Sequence, residues 1–185
     1  MIVRHLNLDE LCRSLDPVTA RWVDAVVPQQ VEPVPNNLYA ATYAWMYAYE
    51  RRLRDRLECS LGHKLRAAER ILFGTDGVVS EGLSNAFVHG HGRAGDLPIE
   101  VECRAAQRGI GVSIRDRGPG FDVDQVLDAL SRGRGYFRFA GNGLRAFART
   151  PGVVASWGLG GRELNLRVNL SCDAAWPPVP GGRRL

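Results

Sequence analysis

Glu81, Asn85 and His89 stand four residues apart in the run Glu81-Gly-Leu-Ser-Asn85-Ala-Phe-Val-His89-Gly90. On a helix that spacing stacks a carboxylate, an amide and an imidazole along one ridge. Such a row is a costly way to build a core. It suits a ridge that faces a metal ion and phosphates. An amide oxygen is a hard ligand fit for Mg²⁺, and a carboxylate one turn earlier can take up a proton or orient a water. The other face offers Val79, Leu83, Phe87 and Val88 to a core. A solvated helix face is the plain alternative for this segment taken alone.

Two further segments carry chemistry. Asp116-Arg-Gly118-Pro-Gly120-Phe121 follows the apolar run Val112-Ser-Ile-Arg. An aspartate at a strand end can accept a hydrogen bond from an amino group on a base, and the glycines let the backbone turn sharply and pass close to it. Gly141-Asn142-Gly143-Leu144 leads into a helical pattern. Backbone N–H groups at such a helix start, with no side chains in the way, make a phosphate cradle. Taken singly, the first of these also reads as a plain turn and the second as a flexible loop.

The elements that must position these residues follow from periodicity. A helix is predicted over 77–88, capped by Thr75 or Asp76 and ended by Gly90-His-Gly. Residues 98–104 and 111–115 alternate like half-buried strands joined by a turn at 106–109. A short helix over 123–130, a Gly- and Arg-rich loop over 133–141 and a helix over 144–149, stopped by Pro151, come next. Strands over 153–157 and 163–170 are joined at 158–161. This order predicts an α+β two-layer sandwich, helices on one face of a mainly antiparallel sheet, and disfavours an alternating Rossmann arrangement. Upstream, Leu38, Ala41, Trp45, Tyr49, Leu53, Leu57, Leu61, Leu65, Ala68 and Leu72 form a helical stripe. It reads as core packing or as a dimer face for a second copy, with Gly62 and Gly74 as candidate interruptions. Pro17 can open a helix after Asp16. The expected divisions are an N-terminal extension over 1–36, a long helix over 37–74, the main domain over 75–170 and a disordered tail over 171–185.

The three segments, in this order, resemble the N, G1 and G2 boxes of the GHKL superfamily of Bergerat-fold ATPases. The resemblance covers roughly residues 65–170. It implies ATP as ligand, with Asn85 holding Mg²⁺ and Glu81 as the general base. Asp116 would read the adenine amino group, with Gly118, Gly120 and Phe121 shaping the floor beside it. His89 would belong to the nucleotide-facing ridge, and Gly141, Asn142, Gly143 and Leu144 to the phosphate-contacting helix start. Residues 123–140 would be a lid over the ATP, from which Arg132, Arg134 or Arg138 reaches the γ-phosphate.

The compact domain and short lid point away from gyrase and MutL. The N box is most similar to that of bacterial anti-sigma factor serine/threonine kinases. That likeness implies a protein that phosphorylates an antagonist protein and sequesters a sigma factor, with those proteins as its partners. Two alternatives stand beside it: a nucleotide-gated binding module without catalysis, and a histidine-kinase-like ATPase domain of a phosphorelay. His63 is followed by Lys64, not by an acidic residue with a nearby proline, so it reads as a helix-surface histidine. Two features depart from the family pattern. Gly160-Gly161-Arg162 lacks the threonine that usually follows the glycine, and the first 70 residues exceed the usual opening strand and helix.

Composition narrows the class. The 185 residues are 45% hydrophobic and 24% charged, as in a soluble globular protein. The net charge of +4 suits a polyanionic ligand, but its arginines are spread along the chain. Direct nucleic-acid binding, which calls for a basic face with stacking aromatics, is not expected. The apolar run from Leu38 to Tyr49 is shorter than the roughly 20 residues a bilayer needs, and the opening residues lack a signal-peptide pattern. Cys12, Cys59, Cys103 and Cys172 form no CxxC pair, which argues against zinc and for reduced thiols in a cytoplasmic protein.

Overall fold

The computed structural model describes residues 1–15, 17–28, 38–132 and 142–170. In chain order the elements are α1 (Leu8–Cys12), β1 (Ala20–Val26), α2 (Leu38–Leu61), α3 (Leu65–Leu72) and α4 (Val78–Asn85). They continue with β2 (Ile99–Ala106), β3 (Gly109–Arg115), α5 (Val123–Ser131), α6 (Asn142–Arg149), β4 (Val153–Gly158) and β5 (Glu163–Asn169). The strands form one antiparallel sheet in the order β1-β2-β3-β5-β4. The result is an α+β sandwich.

Strand alternation sorts the sheet's two faces. Ile99, Val101 and Cys103 of β2, Ile110, Val112 and Ile114 of β3, and Leu164, Leu166 and Val168 of β5 enter the core beneath α2, α3, α4 and α6. The opposite face is polar, with Ser113, Asn165 and Arg167 buried by the first fifteen residues. These residues run across it as an arm. Ile2 bridges Ala155 of β4 in parallel, and the Arg167 guanidinium donates to the Leu11 carbonyl at 3.0 Å and to the Ser14 hydroxyl. Gly111 admits α1 here, since a Cβ on it would lie 2.2 Å from Cys12 Sγ.

The stripe is core from Trp45 to Leu72. Trp45, Tyr49, Leu53, Leu57, Leu61, Leu65, Ala68 and Leu72 are all buried within the chain itself. Burying each leucine contributes roughly 2 kcal/mol. The stripe is not one continuous helix. At Gly62, whose φ is +56, a 3₁₀ turn over Gly62–Lys64 separates α2 from α3. The exposed His63 lies in that turn.

Two expectations fail. Gly77, not Thr75 or Asp76, is the N-cap of α4, and no side chain caps it. Pro17 opens no helix; β1 follows and pairs with β2 from Ala20↔Ala105 to Val26↔Ile99. An edge strand takes its stability from that ladder, so its outer face need not be apolar or polar in strict turn, and Val23 stands 65% exposed there. Strands β2 to β5 and helices α5 and α6 lie within two residues of their expected bounds, α4 ends at Asn85, short of the expected 88, and the turn closes at Ala106↔Gly109 as anticipated. The tail from residue 171 onward lies outside the described residues. No helix among those described is long and apolar enough to cross a membrane.

Candidate functional site

The site begins on α4. Val78, Val79 and Leu83 point into the core, which turns Glu81 and Asn85 outward, half-buried. Gly82 sets how close this helix sits to the sheet: a Cβ there would lie 2.6 Å from Ile114 Cδ1 and 2.9 Å from Leu164 Cδ2. Beyond Asn85 the chain widens into a π turn over Ala86–Gly90. The extra residue per turn carries Gly90 over the loop that follows β3, a device that recurs at functional sites. The Asn85 amide nitrogen donates to Glu81 Oε1 at 3.0 Å. A carboxylate only accepts, so this bond commits the amide's NH₂ to Glu81 and turns its oxygen the other way.

The loop after β3 is built on close backbone approaches. The Asp116 amide donates to the Arg162 carbonyl at 3.0 Å, and Asp116 Oδ1 accepts from the Gly118 amide at 2.8 Å. A Cβ on Gly118 would lie 2.0 Å from the Gly90 oxygen, and one on Gly90 would lie 2.4 Å from Asp116 Cγ. Any side chain at either position would force these two strands of chain apart. Gly120, at φ +72, packs against the Gly160 oxygen, which also accepts from the Phe121 amide at 2.9 Å. Burial pushes the Asp116 carboxyl above its ordinary pKa, while the Gly118 amide, His91 and Arg162 oppose the rise.

Between α4 and this loop lies a cavity of about 230 Å³. Gly82, Asn85, Ala86, His89 and Gly90 line one side. Ile114, Asp116, Gly120, Phe121 and Gly161 line another, and Leu144, Phe147, Trp157 and Leu164 complete it. Trp157 stands edge-on to Phe121 and to Phe147, with centroids 6.4 and 5.8 Å away. A mostly apolar slot with one carboxylate in its wall suits a flat heterocycle that presents a hydrogen-bond donor.

A family model described as the histidine kinase-like ATPase domain matches residues 46–160. The chain belongs to that family. The matched span of this ATPase domain runs from within α2 to the turn between β4 and β5, so it includes every residue that lines the cavity except Leu164 and Gly161. No curated protein matches the sequence.

Within the ATPase domain the three sequence segments meet at one cavity. Asn85, His89, Asp116, Gly120, Phe121 and Leu144 all line it. Gly118 lies behind Asp116, against Gly90, and Glu81 meets the lining through Asn85. Asn142 and Gly143 are the first residues of α6, described here through their backbone. Arg132 is exposed at the end of α5. Arg134, Arg138 and Gly141, and most of the expected lid beyond Arg132, lie outside the described residues. Sequence reading missed Gly82, Ala86, Ile114, Phe147, Trp157, Gly161 and Leu164. Some carried a signal: Ile114 precedes Asp116 by two, and Trp157 and Leu164 pair across the β4–β5 hairpin on the core face.

Proposed function

We propose that this domain binds ATP with Mg²⁺ and transfers the γ-phosphoryl group to a serine or threonine of a partner protein, in the manner of an anti-sigma factor kinase. The observation that carries this reading is the Asn85–Glu81 hydrogen bond at the wall of a cavity that also holds Asp116. With its NH₂ side turned to Glu81, Asn85 presents its oxygen away from that carboxylate, and an amide oxygen fits Mg²⁺. The ion, when bound, would screen the negative charge of the phosphates during transfer. Asp116 would accept from the adenine amino group between the apolar walls. Asn142 and Gly143 at the start of α6, with Gly141 before them in sequence, would receive the phosphates, and an arginine among Arg132, Arg134 and Arg138 would pair with the γ-phosphate.

In the reaction itself, Glu81 would take the proton from the acceptor hydroxyl. The Ser or Thr hydroxyl oxygen would form a bond to the γ-phosphorus as the bond to the β–γ bridging oxygen breaks, leaving ADP. The partners in this reading are an antagonist protein that receives the phosphate and a sigma factor that is held. Incubation with γ-labelled ATP and the cognate antagonist is expected to label the antagonist, and Glu81→Ala to abolish the label while ATP still binds. An unlabelled antagonist, with ATP binding intact, refutes phosphoryl transfer.

A second reading has its own support. Arg162 stands where the family places threonine, and its Nε donates to the Leu159 carbonyl at 3.0 Å. A hydroxyl is therefore missing beside Asp116, which favours a nucleotide-gated binding module that does no transfer. That reading predicts partner binding that depends on ATP and is indifferent to Glu81→Ala.

A further inference from the structure

His91 closes the π turn and is buried, with 7% of its surface exposed. Its Nε2 lies 3.0 Å from the Arg117 amide nitrogen and accepts its hydrogen. A ring nitrogen that accepts carries no proton, so the proton of the neutral ring sits on Nδ1. Nδ1 is buried with no hydrogen-bond partner among the described residues. A buried donor left unmade is a standing cost, and among the described residues the ring's hydrogen bond is with main chain in the loop that bears Asp116. Gly90, the preceding residue, presses on that same loop at Asp116 and Gly118. Gly90 thus sets how near the loop comes, and His91 sets where along the turn it is pinned.

We propose that His91 is the positioning residue of the base-reading loop, its neutral imidazole accepting the Arg117 amide and so holding the Asp116 carboxylate in the cavity wall. This rests on the base-reading role proposed for Asp116. The groups facing the ring are Asp116 and Asp96, which favour the imidazolium, and Arg117, which opposes it. Burial opposes it most, and the net effect draws the His91 pKa below its ordinary value of 6.5. Protonation would set a donor against the Arg117 donor. The pin is therefore complete above pH 6.5 and is lost as pH falls through the lowered value.

The test uses the full chain. In ¹⁵N-labelled protein without nucleotide, the Arg117 amide resonance is expected to titrate with the same midpoint as the His91 ring. The affinity for AMP-PNP with Mg²⁺, measured by calorimetry, is expected to fall about tenfold as His91 protonates. His91→Gln offers a carboxamide oxygen that does not titrate. The ratio of its affinity to that of wild type at the same pH, which cancels ionisation of the phosphates, should therefore rise about tenfold as His91 protonates. His91→Phe, with no acceptor, should bind weakly at every pH. An Arg117 amide blind to His91 ionisation overturns the proposal, as does a His91→Gln profile that declines like wild type. Should the phenylalanine variant fail to fold, the glutamine variant and the titration still decide. Failure of the base-reading role looks different: Asp116→Asn binds at wild-type affinity while Arg117 still tracks His91, which overturns the nucleotide half of the proposal.

Discussion

Replacing Asp116 by asparagine keeps the shape of the side chain and exchanges one oxygen for an NH₂ group. Asp116 Oδ1 accepts from the Gly118 amide at 2.8 Å, and the asparagine oxygen can do the same. The remaining atom, an acceptor in the wild type, then becomes a donor that, in the proposed role, would face the adenine amino group. The variant loses a charge-assisted hydrogen bond and leaves two donors opposed, together about 3 kcal/mol, or roughly a hundredfold in Kd. Stability should move the other way. Burial raises the Asp116 pKa above 3.8, so the ionised carboxylate weighs on the fold at neutral pH. A group with a raised folded pKa contributes its full stability below the unfolded value of 3.8 and loses it as pH rises through the folded value. The wild type's advantage over Asp116→Asn should therefore shrink as pH rises from acid to neutral. Calorimetric titration with ATP and Mg²⁺, and thermal unfolding without nucleotide at both pH values, measure the two effects. A variant that binds ATP within about threefold of wild type removes the base-reading role. One that loses affinity together with several degrees of Tm shows that Asp116 acts on the fold instead.

Gly118→Ala sets a methyl 2.0 Å from the main-chain oxygen of Gly90, which cannot swing aside. It is expected to cost about 2 kcal/mol or more in urea unfolding and to weaken ATP binding in parallel; an unchanged midpoint would contradict the close approach. Gly82→Ala has opposing terms. Alanine gains about 1 kcal/mol of helix propensity, while overpacking costs about 1–3 kcal/mol against Ile114 and Leu164. Stability should change by no more than about 2 kcal/mol, while ATP affinity falls because both displaced side chains line the cavity; wild-type affinity would count against the cavity as the binding site. Leu57→Ala empties a position with 0% exposure. It should lower unfolding free energy by about 2–5 kcal/mol without altering ATP affinity in the folded fraction, and a loss under about 1 kcal/mol would mean the stripe is not core.

What the sequence determined by itself is whatever depends on neighbours within a turn or two. The four-residue spacing of Glu81, Asn85 and His89 fixes them near one helix face, and the alternation of Ile99, Val101 and Cys103 marks a strand with one buried side. Gly62 announces its own left-handed turn. The α+β class follows from the order of such segments, and the order of three short motifs was enough to suggest the ATPase family. Tertiary structure decided the rest, because it rests on partners far apart in the chain. β1 could not be read from its own residues, since its stability comes from a ladder to β2, some 80 residues on. The arm over residues 1–15 shows locally only the Asn7–Glu10 capping box and the apolar side of α1; that it covers a polar sheet face, at Arg167, is decided by the sheet. The π turn, which carries Gly90 over Asp116, has no signature in a 3.6-residue period. Phe147 and Trp157 read as ordinary core residues until the sheet brings them beside Phe121. Periodicity states which side of an element is apolar; only packing states what that side meets, and a binding cavity is made of such meetings.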